Sequence, residues 1–200
     1  MTEILEEARR RGFLGPGPVQ DHIDHAAGMA AAIGPPPGPF LDLGTGSGIP
    51  GLVLALAWPE STGVLLDGKV RRTGVLARAL TDLGLADRIQ VLTARAEAAA
   101  HDPAHRAHYA LVVARGFGPP AATAECASAL LHVGGRLAVS EPPDSDPTTR
   151  WPEAGIAELG LTPPELRRSE GVTVALLTLT HPPRLHIPRG ANHPTKRPLW

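Results

Sequence analysis

Three alternating glycines form the segment of this sequence with the clearest chemical potential. Gly44, Gly46 and Gly48, with Thr45 between the first two, follow a short apolar run that contains Asp42. Glycine is needed where the backbone turns sharply or where a ligand comes closer than a Cβ would permit. A helix is expected directly after the loop, and its N-terminus would present free N–H groups to a polar or anionic group. Strand, glycine spacing and helix together predict a cofactor-binding loop rather than a plain tight turn.

The glycine series leaves two kinds of cofactor open. Residues 46–51 also fit the G-x-G-x-x-G fingerprint of dinucleotide-binding proteins, and an acid, Asp67, follows about 20 residues later. Two features favour S-adenosylmethionine. Asp42 stands two residues before the first glycine, and Asp67 ends the next apolar run, where its carboxylate could accept both ribose hydroxyls of an adenosine. A turn role for Asp67 and a nicotinamide oxidoreductase remain the alternatives, although the sequence shows no catalytic set for the latter. The cofactor contacts predicted here are Asp42, Gly44, Thr45, Gly46, Gly48 and Asp67.

The third apolar run ends in Thr93-Ala-Arg-Ala-Glu97. In an open parallel sheet the ligand lies beyond the carboxyl ends of the strands, near the point where the strand order reverses. We therefore expect this loop beside the adenine ring, with Ala94, Arg95, Ala96 and Glu97 as cofactor contacts. A solvated ion pair between Arg95 and Glu97 is the alternative.

Arg115 ends the fourth apolar run and is the predicted catalytic residue. At that position it would lie near the transferred group and could orient an acceptor through a phosphate or a base oxygen. The alternative is a strand-end arginine paired with a nearby acid such as Glu141. Phe117 would either stack on a base or fill the core.

The distribution of basic residues suggests a nucleic-acid surface, although the net charge of −1 gives no overall attraction to one. Residues 181–200 carry four lysines and arginines and no acid. Such a tail suits phosphate contacts, and Arg71 and Arg72 could form a second exposed edge on a helix. Solvated charges are the ordinary alternative for both groups. The predicted RNA contacts are Arg71, Arg72, Arg189, Lys196 and Arg197.

Metal and membrane chemistry are not expected. Cys126 is the one cysteine, and it lies in an alanine-rich helical stretch, so it is interpreted as a small buried hydrophobe. His101, His105 and His108 lie close together, but no second group of ligands accompanies them, and no metal site is predicted. The chain has no run of eighteen apolar residues, and its first residues are acidic and lack a signal pattern. A cytoplasmic location is therefore expected.

The elements that would position these residues follow a βαβ pattern. Residues 1–39 form an N-terminal helical segment, with one apolar stripe over 18–33, and a proline- and glycine-rich connector. Residues 40–200 form the cofactor-binding domain with its basic tail, so that the chain is one domain overall. Apolar runs covered on both faces predict a largely parallel sheet. The strand candidates are Phe40–Leu43, Gly63–Leu66, Ile89–Leu92, Ala110–Val113, Arg136–Val139 and Val172–Thr180.

Several of these segments together resemble the glucose-inhibited division protein B family, the bacterial guanine-N7 methyltransferases of small-subunit rRNA. The specific parts are the Ile-Pro-Gly that follows the glycines and the proline-rich basic tail; Gly-Gly-Arg-Leu is common to many methyltransferases. The likeness covers the chain from about residue 12 onward. The matching segments are Asp42-Leu-Gly-Thr-Gly-Ser-Gly-Ile-Pro-Gly51, Leu65-Leu-Asp67, Ala94-Arg-Ala-Glu97, Val112-Val-Ala-Arg115, Val133-Gly-Gly-Arg-Leu137, Ile187-Pro-Arg189 and Pro194-Thr-Lys-Arg-Pro198.

The resemblance implies an α/β fold of the Rossmann-like class I methyltransferase type. Its sheet would be mostly parallel and seven-stranded, with helices on both faces and an antiparallel last strand. It implies S-adenosyl-L-methionine as donor, S-adenosyl-L-homocysteine as product, and N7 of guanine 527 in 16S rRNA as acceptor, free or in the 30S particle. A monomer is expected. The chain departs from the family at Gly116-Phe117 and in a less basic tail. A small-molecule methyltransferase and a non-catalytic cofactor-binding protein are the alternatives on the same scaffold.

Overall fold

A seven-stranded sheet forms the centre of the protein in the computed structural model, which describes residues 1–200. Its order is β3-β2-β1-β4-β5-β7-β6. The strands β1 to β5 run parallel, and β7 is antiparallel to both β5 and β6. This confirms the predicted sheet with its antiparallel last strand. The strands are β1 Phe40–Leu43, β2 Gly63–Asp67, β3 Ile89–Thr93, β4 Tyr109–Ala114, β5 Leu131–Glu141, β6 Glu165–Ser169 and β7 Val172–Thr178.

Helices cover both faces of the sheet, as predicted. Alternate residues of a strand point to opposite faces, so Val112 and Val113 of β4 enter two different buried clusters. Burial on both faces explains why the central strands are apolar runs rather than alternating ones. The helices are α1 Thr2–Arg10, α2 Val19–Ile33, α3 Gly51–Ala57, α4 Val70–Asp82, α5 Ala96–His101, α6 Pro120–Leu130, α7 Pro147–Arg150, α8 Glu153–Glu158 and α9 His193–Lys196.

The helix predicted over residues 18–33 is α2, and it joins the same core as the strands. Met29 is fully buried in the cluster that contains β1 and β7 residues. A Cβ on Gly28 would lie 2.7 Å from Cγ2 of Val172, so the absence of a side chain lets the helix approach β7 closely. None of the helices combines the length and the apolarity that crossing a bilayer requires.

The strand β6 was not predicted, whereas α1 lies within the N-terminal segment that was expected to be helical. The β6 sequence, Glu-Leu-Arg-Arg-Ser, has a single apolar residue and lies at the edge of the sheet, beside β7 alone. An edge strand with polar side chains lacks the apolar run that identified the other strands, and such residues protect the edge from further pairing. The short helix α1 buries only Leu5 and Ala8.

The strand order reverses between β1 and β4, and this places the site. The chain proceeds from β1 toward β2 and β3 on one side and from β4 toward β5 on the other. In open α/β sheets, ligands bind in the crevice beyond the carboxyl ends of the strands at this point. The loop after Leu43, the end of β2 at Asp67, and Arg115 after β4 therefore meet at one edge.

Candidate active site

The glycine loop after β1 adopts a conformation that requires its glycines. Gly44, Gly46 and Gly48 have φ values of +72°, +60° and +96°, in the left-handed region that residues with a Cβ rarely adopt. A Cβ on Gly48 would also lie 2.5 Å from Cδ1 of Leu52. The helix α3 begins three residues after this glycine, so its free N–H groups adjoin the loop.

Asp42 holds the glycine loop in place through hydrogen bonds. Its Oδ2 accepts hydrogen bonds from Thr45 Oγ1 at 2.6 Å and from the Gly51 N–H at 2.8 Å, so one oxygen ties the two ends of the loop together. Its Oδ1 is buried and has no partner in the protein. Burial raises the pKa of Asp42 to about 6, and the hydrogen bonds from Thr45 and Gly51 only partly oppose that rise.

Asp67 lies at the end of β2, buried, beside the same loop. Its Oδ2 accepts from the Gly46 N–H at 3.1 Å and from Arg72 Nη1 at 3.2 Å, and its Oδ1 accepts from the Lys69 N–H at 2.8 Å. The expectation that Arg72 forms an exposed edge with Arg71 was wrong. Arg72 is 27% exposed, because its guanidinium turns inward to pair with Asp67 and stack over Phe13, 5.9 Å from the ring centroid. Arg71 does lie exposed.

A cavity of about 330 Å³ lies between the ends of β2, β3 and β4, and we call it the β2–β3 cavity. Of the loop residues predicted to adjoin an adenine, Arg95, Ala96 and Glu97 line it, whereas Ala94 does not. Asp67 and Gly44 form one wall, and Phe117 covers Gly44 so closely that a Cβ there would lie 2.5 Å from the ring. Thr195, from the C-terminal tail, closes the far side.

Glu97 joins this cavity to the tail. Its Oε1 accepts from Arg95 Nη2 at 3.2 Å and from the Asn192 N–H at 2.7 Å, and the side chain is almost fully buried. Burial raises the pKa of Glu97, but hydrogen bonds from its own N–H, from Arg95 and from Asn192 outweigh burial and lower it overall. The ion pair given as an alternative therefore exists, yet its acid is not solvated.

Arg189 anchors the tail to the rest of the protein. It was expected to have no acidic partner, but it pairs with Glu125. Its Nε and Nη2 donate to the two oxygens of Glu125 at 2.9 and 2.7 Å, and its backbone N–H donates to Oε1 at 2.7 Å. Glu125 has no exposed surface. The partner is 64 residues away on α6, so the composition of the tail alone could not reveal it. Lys196 and Arg197 remain exposed.

We expect Arg189→Ala to lower the free energy of unfolding by about 3 kcal/mol, because it leaves the buried Glu125 carboxylate without its counter-charge. Urea unfolding followed by tryptophan fluorescence measures this. Arg184→Ala is the matched control, since Arg184 is exposed in the same tail and its side chain makes no hydrogen bond. Equal stability of the two variants would contradict a structural role for Arg189.

Arg115 lies directly after β4, and Glu141 is not its partner. Nη2 of Arg115 donates to Nδ1 of His22, and burial lowers its pKa. Glu141 is instead occupied by Trp151 Nε1 at 2.9 Å and by Arg150. Nη1 of Arg115 is buried and lacks a partner.

A second cavity of about 290 Å³ lies above the glycine loop, and we call it the loop cavity. Its walls include Thr45, Arg72 and Arg115. Three buried side-chain atoms in the protein lack a hydrogen-bond partner: Asp42 Oδ1, Arg72 Nε and Arg115 Nη1. Arg72 and Arg115 line this cavity, and Asp42 is hydrogen-bonded through its Oδ2 to Thr45, another residue of the cavity wall. Buried polar atoms are almost always paired, and one acceptor beside two cationic donors matches a zwitterionic amino-acid group.

Sequence reasoning missed two histidines of α2 at this edge. His22 holds Arg115 from one side and donates to the Pro16 carbonyl at 3.0 Å from the other. His25 Nε2 lies 2.8 Å from Ser140 Oγ at the end of β5. The prediction for this helix rested on its apolar residues alone, and the histidines are not among them. Their spacing of three residues, which places both on one helix face, was the available signal.

The remaining candidates are the histidines of residues 101–108 and Cys126, which also lines the β2–β3 cavity. His101 and His105 contact the Pro188 carbonyl and the Tyr109 hydroxyl, and no three His, Cys, Asp or Glu side chains are grouped to hold a metal. Burial raises the pKa of the Cys126 thiol. A cavity of about 570 Å³ lies near the amino ends of β1 and β2 beside Trp58, remote from the glycine loop.

Comparison with known proteins gives consistent matches. The family described as rRNA small subunit methyltransferase G matches residues 20–140. A relative from a Synechococcus species, named ribosomal RNA small subunit methyltransferase G, is 31% identical over 80% of this chain and 65% of its own length. One of the same name from a Roseiflexus species is 30% identical over 92% of this chain and 80% of its own. The chain thus spans just under two thirds of the first relative and four fifths of the second.

Solved structures support the fold, while the family model and the relatives show the family. A candidate S-adenosyl-L-methionine-dependent methyltransferase from Methanococcus maripaludis has a TM-score of 0.64 at 18% identity, covering 90% of this chain and 92% of its own. A 16S rRNA N2 G1207 methyltransferase from T. thermophilus, solved with AdoMet and guanosine, has a TM-score of 0.53 at 22% identity, covering 79% of this chain and 39% of its own. The class I methyltransferase fold is thus confirmed, and the chain belongs to the rRNA small subunit methyltransferase G family.

Proposed function

We propose that this protein transfers the methyl group of S-adenosyl-L-methionine to N7 of a guanine in 16S rRNA, the residue at position 527. The names of its relatives supply the acceptor class. The enzyme would act in the cytoplasm, as a monomer, on the rRNA or on the 30S particle. The choice of donor rests on three unpartnered buried atoms: two belong to Arg72 and Arg115, which line the loop cavity, and one belongs to Asp42, which is hydrogen-bonded to Thr45 of its wall.

The two cavities at the glycine loop fit the two ends of the donor. The adenosine end suits the β2–β3 cavity, where Asp67 would accept from the ribose hydroxyls and the backbone of Ala96 would adjoin the adenine. The methionine end suits the loop cavity. There Arg72 and Arg115 would donate to the carboxylate, and Asp42 Oδ1 would accept from the ammonium group. Arg72 would then turn from Asp67 toward the carboxylate and free an oxygen for the ribose.

The chemistry requires alignment rather than a proton acceptor. Guanine N7 has an in-plane lone pair and no proton to lose, so a general base is unnecessary. Bound S-adenosylmethionine supplies a methyl group that is activated by a positive sulfur. The protein holds donor and acceptor in line and excludes water. Such a transfer therefore does not need a histidine paired with an ionised acid.

We expect donor affinity to rise by about tenfold between pH 5 and pH 7, because Asp42 ionises in this range and its carboxylate attracts the ammonium group of the donor. The pKa of Asp42 is raised to about 6, so the favourable charge is absent below that pH and present above it. Calorimetric titration at several pH values measures the slope. Asp42→Asn keeps an oxygen for Thr45 and Gly51 and should remove the slope; an unchanged slope would refute this role.

Methyl transfer is tested directly with labelled S-adenosylmethionine and small subunits from a strain that lacks its own guanine-N7 enzyme. Borohydride–aniline scission then maps the label, since N7-methylguanine is cleaved selectively. We expect one labelled guanine. An RNA without label, while the donor still binds, would exclude the proposed acceptor and favour a metabolite substrate or a non-catalytic role.

A further inference from the structure

A third cavity, of about 340 Å³, lies beside the ends of β4 and β5, and we call it the β4–β5 cavity. It shares Gly116 and Phe117 with the β2–β3 cavity and Arg115 with the loop cavity. Its volume falls within the ~300–1,000 Å³ typical of ligand pockets. A molecule in it would therefore lie on the other side of Phe117 from the proposed donor, next to the place where the methyl group is released.

The charged groups on one wall of this cavity are already committed to each other. Glu141 Oε1 accepts from Trp151 Nε1 at 2.9 Å, and its Oε2 accepts from Arg150 and from Ser145 Oγ at 3.0 Å. The Glu141 side chain is completely buried. A ligand would gain little from this wall, because any new contact would break an existing hydrogen bond.

Two other side chains that line the cavity carry groups that are free. His25 lines the cavity with its Nε2 held 2.8 Å from Ser140 Oγ, and its Nδ1 has no partner in the protein. Arg115 has five N–H donors, and only one of its nitrogens is bonded, to His22. Two side chains with open hydrogen-bonding positions thus face the cavity, one of them cationic.

We propose that the β4–β5 cavity receives the acceptor guanine, with Arg115 donating to O6 and His25, held by Ser140, hydrogen-bonding the neighbouring edge of the base. This inference rests on the proposed function and adds a positioning residue to it. Enzymes that modify a base turn it out of its stack into a pocket and bind its edges there. Arg115 can only donate, so the amino group that adenine carries at the same position would face a donor and be rejected.

The neutral state of the His25 side chain suits this role. Burial lowers the pKa of His25, and the neighbouring Arg115 guanidinium lowers it further, so the imidazole is neutral near pH 7. In the transfer, the N7 lone pair forms the new N–CH₃ bond while the S–CH₃ bonding pair returns to sulfur. The positive charge moves from sulfur to the guanine, and no proton leaves. A neutral imidazole beside the base does not oppose that charge as a second cation would.

The test compares His25→Ala, His25→Asn and a control, His186→Gln, in the labelled-methyl assay with small subunits. His186 is exposed and makes no side-chain hydrogen bond. We expect His25→Ala to lower kcat/KM for the subunit by about tenfold or more, the effect of losing one hydrogen bond that holds the base. Asparagine places an amide close to the position of Nδ1, so His25→Asn should stay within about threefold of wild type. The Kd for S-adenosylmethionine should change less than about twofold in every variant, since His25 lines only the acceptor side.

Three results would overturn the inference, and they are distinguishable. Wild-type activity in His25→Ala would remove His25 from the acceptor site while leaving the proposed function intact. Equal loss in the alanine and asparagine variants would show that His25 acts by packing alone. Absence of methyl transfer to RNA by the wild-type protein would refute the proposed function itself and the acceptor cavity with it.

Discussion

Arg115→Ala should lower kcat/KM for methyl transfer by about a thousandfold, because the side chain contributes charge-assisted hydrogen bonds to both substrates. The structure places Arg115 on the walls of both the loop cavity and the β4–β5 cavity. From the sequence we expected Arg115 to orient the acceptor. The position of Nη1 beside the loop cavity predicts weaker donor binding as well.

Single-turnover methyl transfer and donor calorimetry on the same preparation separate the two effects. Arg115→Lys should recover part of the donor affinity but little of the transfer rate, since an ammonium lacks the guanidinium fork. Arg78→Ala is a suitable control because Arg78 is exposed on α4. An Arg115→Ala enzyme with normal kcat and normal donor affinity would remove Arg115 from the site.

Asp67→Ala should weaken donor binding by roughly a hundredfold or more, because the carboxylate is predicted to accept two ribose hydroxyls. The same substitution removes the acceptor for the Gly46 and Lys69 N–H groups. It would also leave Arg72 without its acid, although this side chain can still reach the methionine carboxylate. Calorimetry with S-adenosyl-L-homocysteine measures the loss.

Ribose contacts can be separated from loop support by a second variant and a second ligand. Asp67→Asn keeps an oxygen for the Gly46 N–H and should retain the loop conformation. It should bind S-adenosyl-L-homocysteine more weakly than the wild-type protein does, because the amide lacks the negative charge of the carboxylate. The 2′-deoxy analogue of the donor should lose affinity toward the wild-type protein and lose little toward Asp67→Ala. Equal losses toward both proteins would show that Asp67 supports the loop without touching the ribose.

The sequence was sufficient to predict the part of the site that depends on local patterns. The glycine loop, the acid at its start and the acid at the end of β2 follow from short-range spacing, because a tight turn between a strand and a helix restricts the residues it can use. The central strands were equally visible, since burial on both faces demands continuous apolar runs. The edge strand β6 was not, because half of its surroundings are solvent.

What the sequence could not supply was the pairing of these arginines with buried acids. Arg189 and Arg72 were expected to be exposed RNA contacts, but each has a buried acid, Glu125 or Asp67, as its partner. Asp67 lies five residues before Arg72, across the turn from β2 into α4, whereas Glu125 lies 64 residues from Arg189, and the fold alone brings that pair together. His25 and Ser140 are 115 residues apart for the same reason. The basic surface left for RNA is therefore smaller than composition suggested, with Arg71, Lys196 and Arg197 exposed.

Calorimetry with S-adenosyl-L-homocysteine and 5′-methylthioadenosine tests most directly whether the loop cavity holds the amino-acid end of the donor. The two ligands share the adenosine and sulfur, and the second lacks the carboxylate and the ammonium group. We expect the loss of this end to reduce affinity about a hundredfold or more, because three buried polar atoms would stay unpaired. Equal affinity for the two ligands, or tight binding of NADH with none of S-adenosylmethionine, would contradict the account.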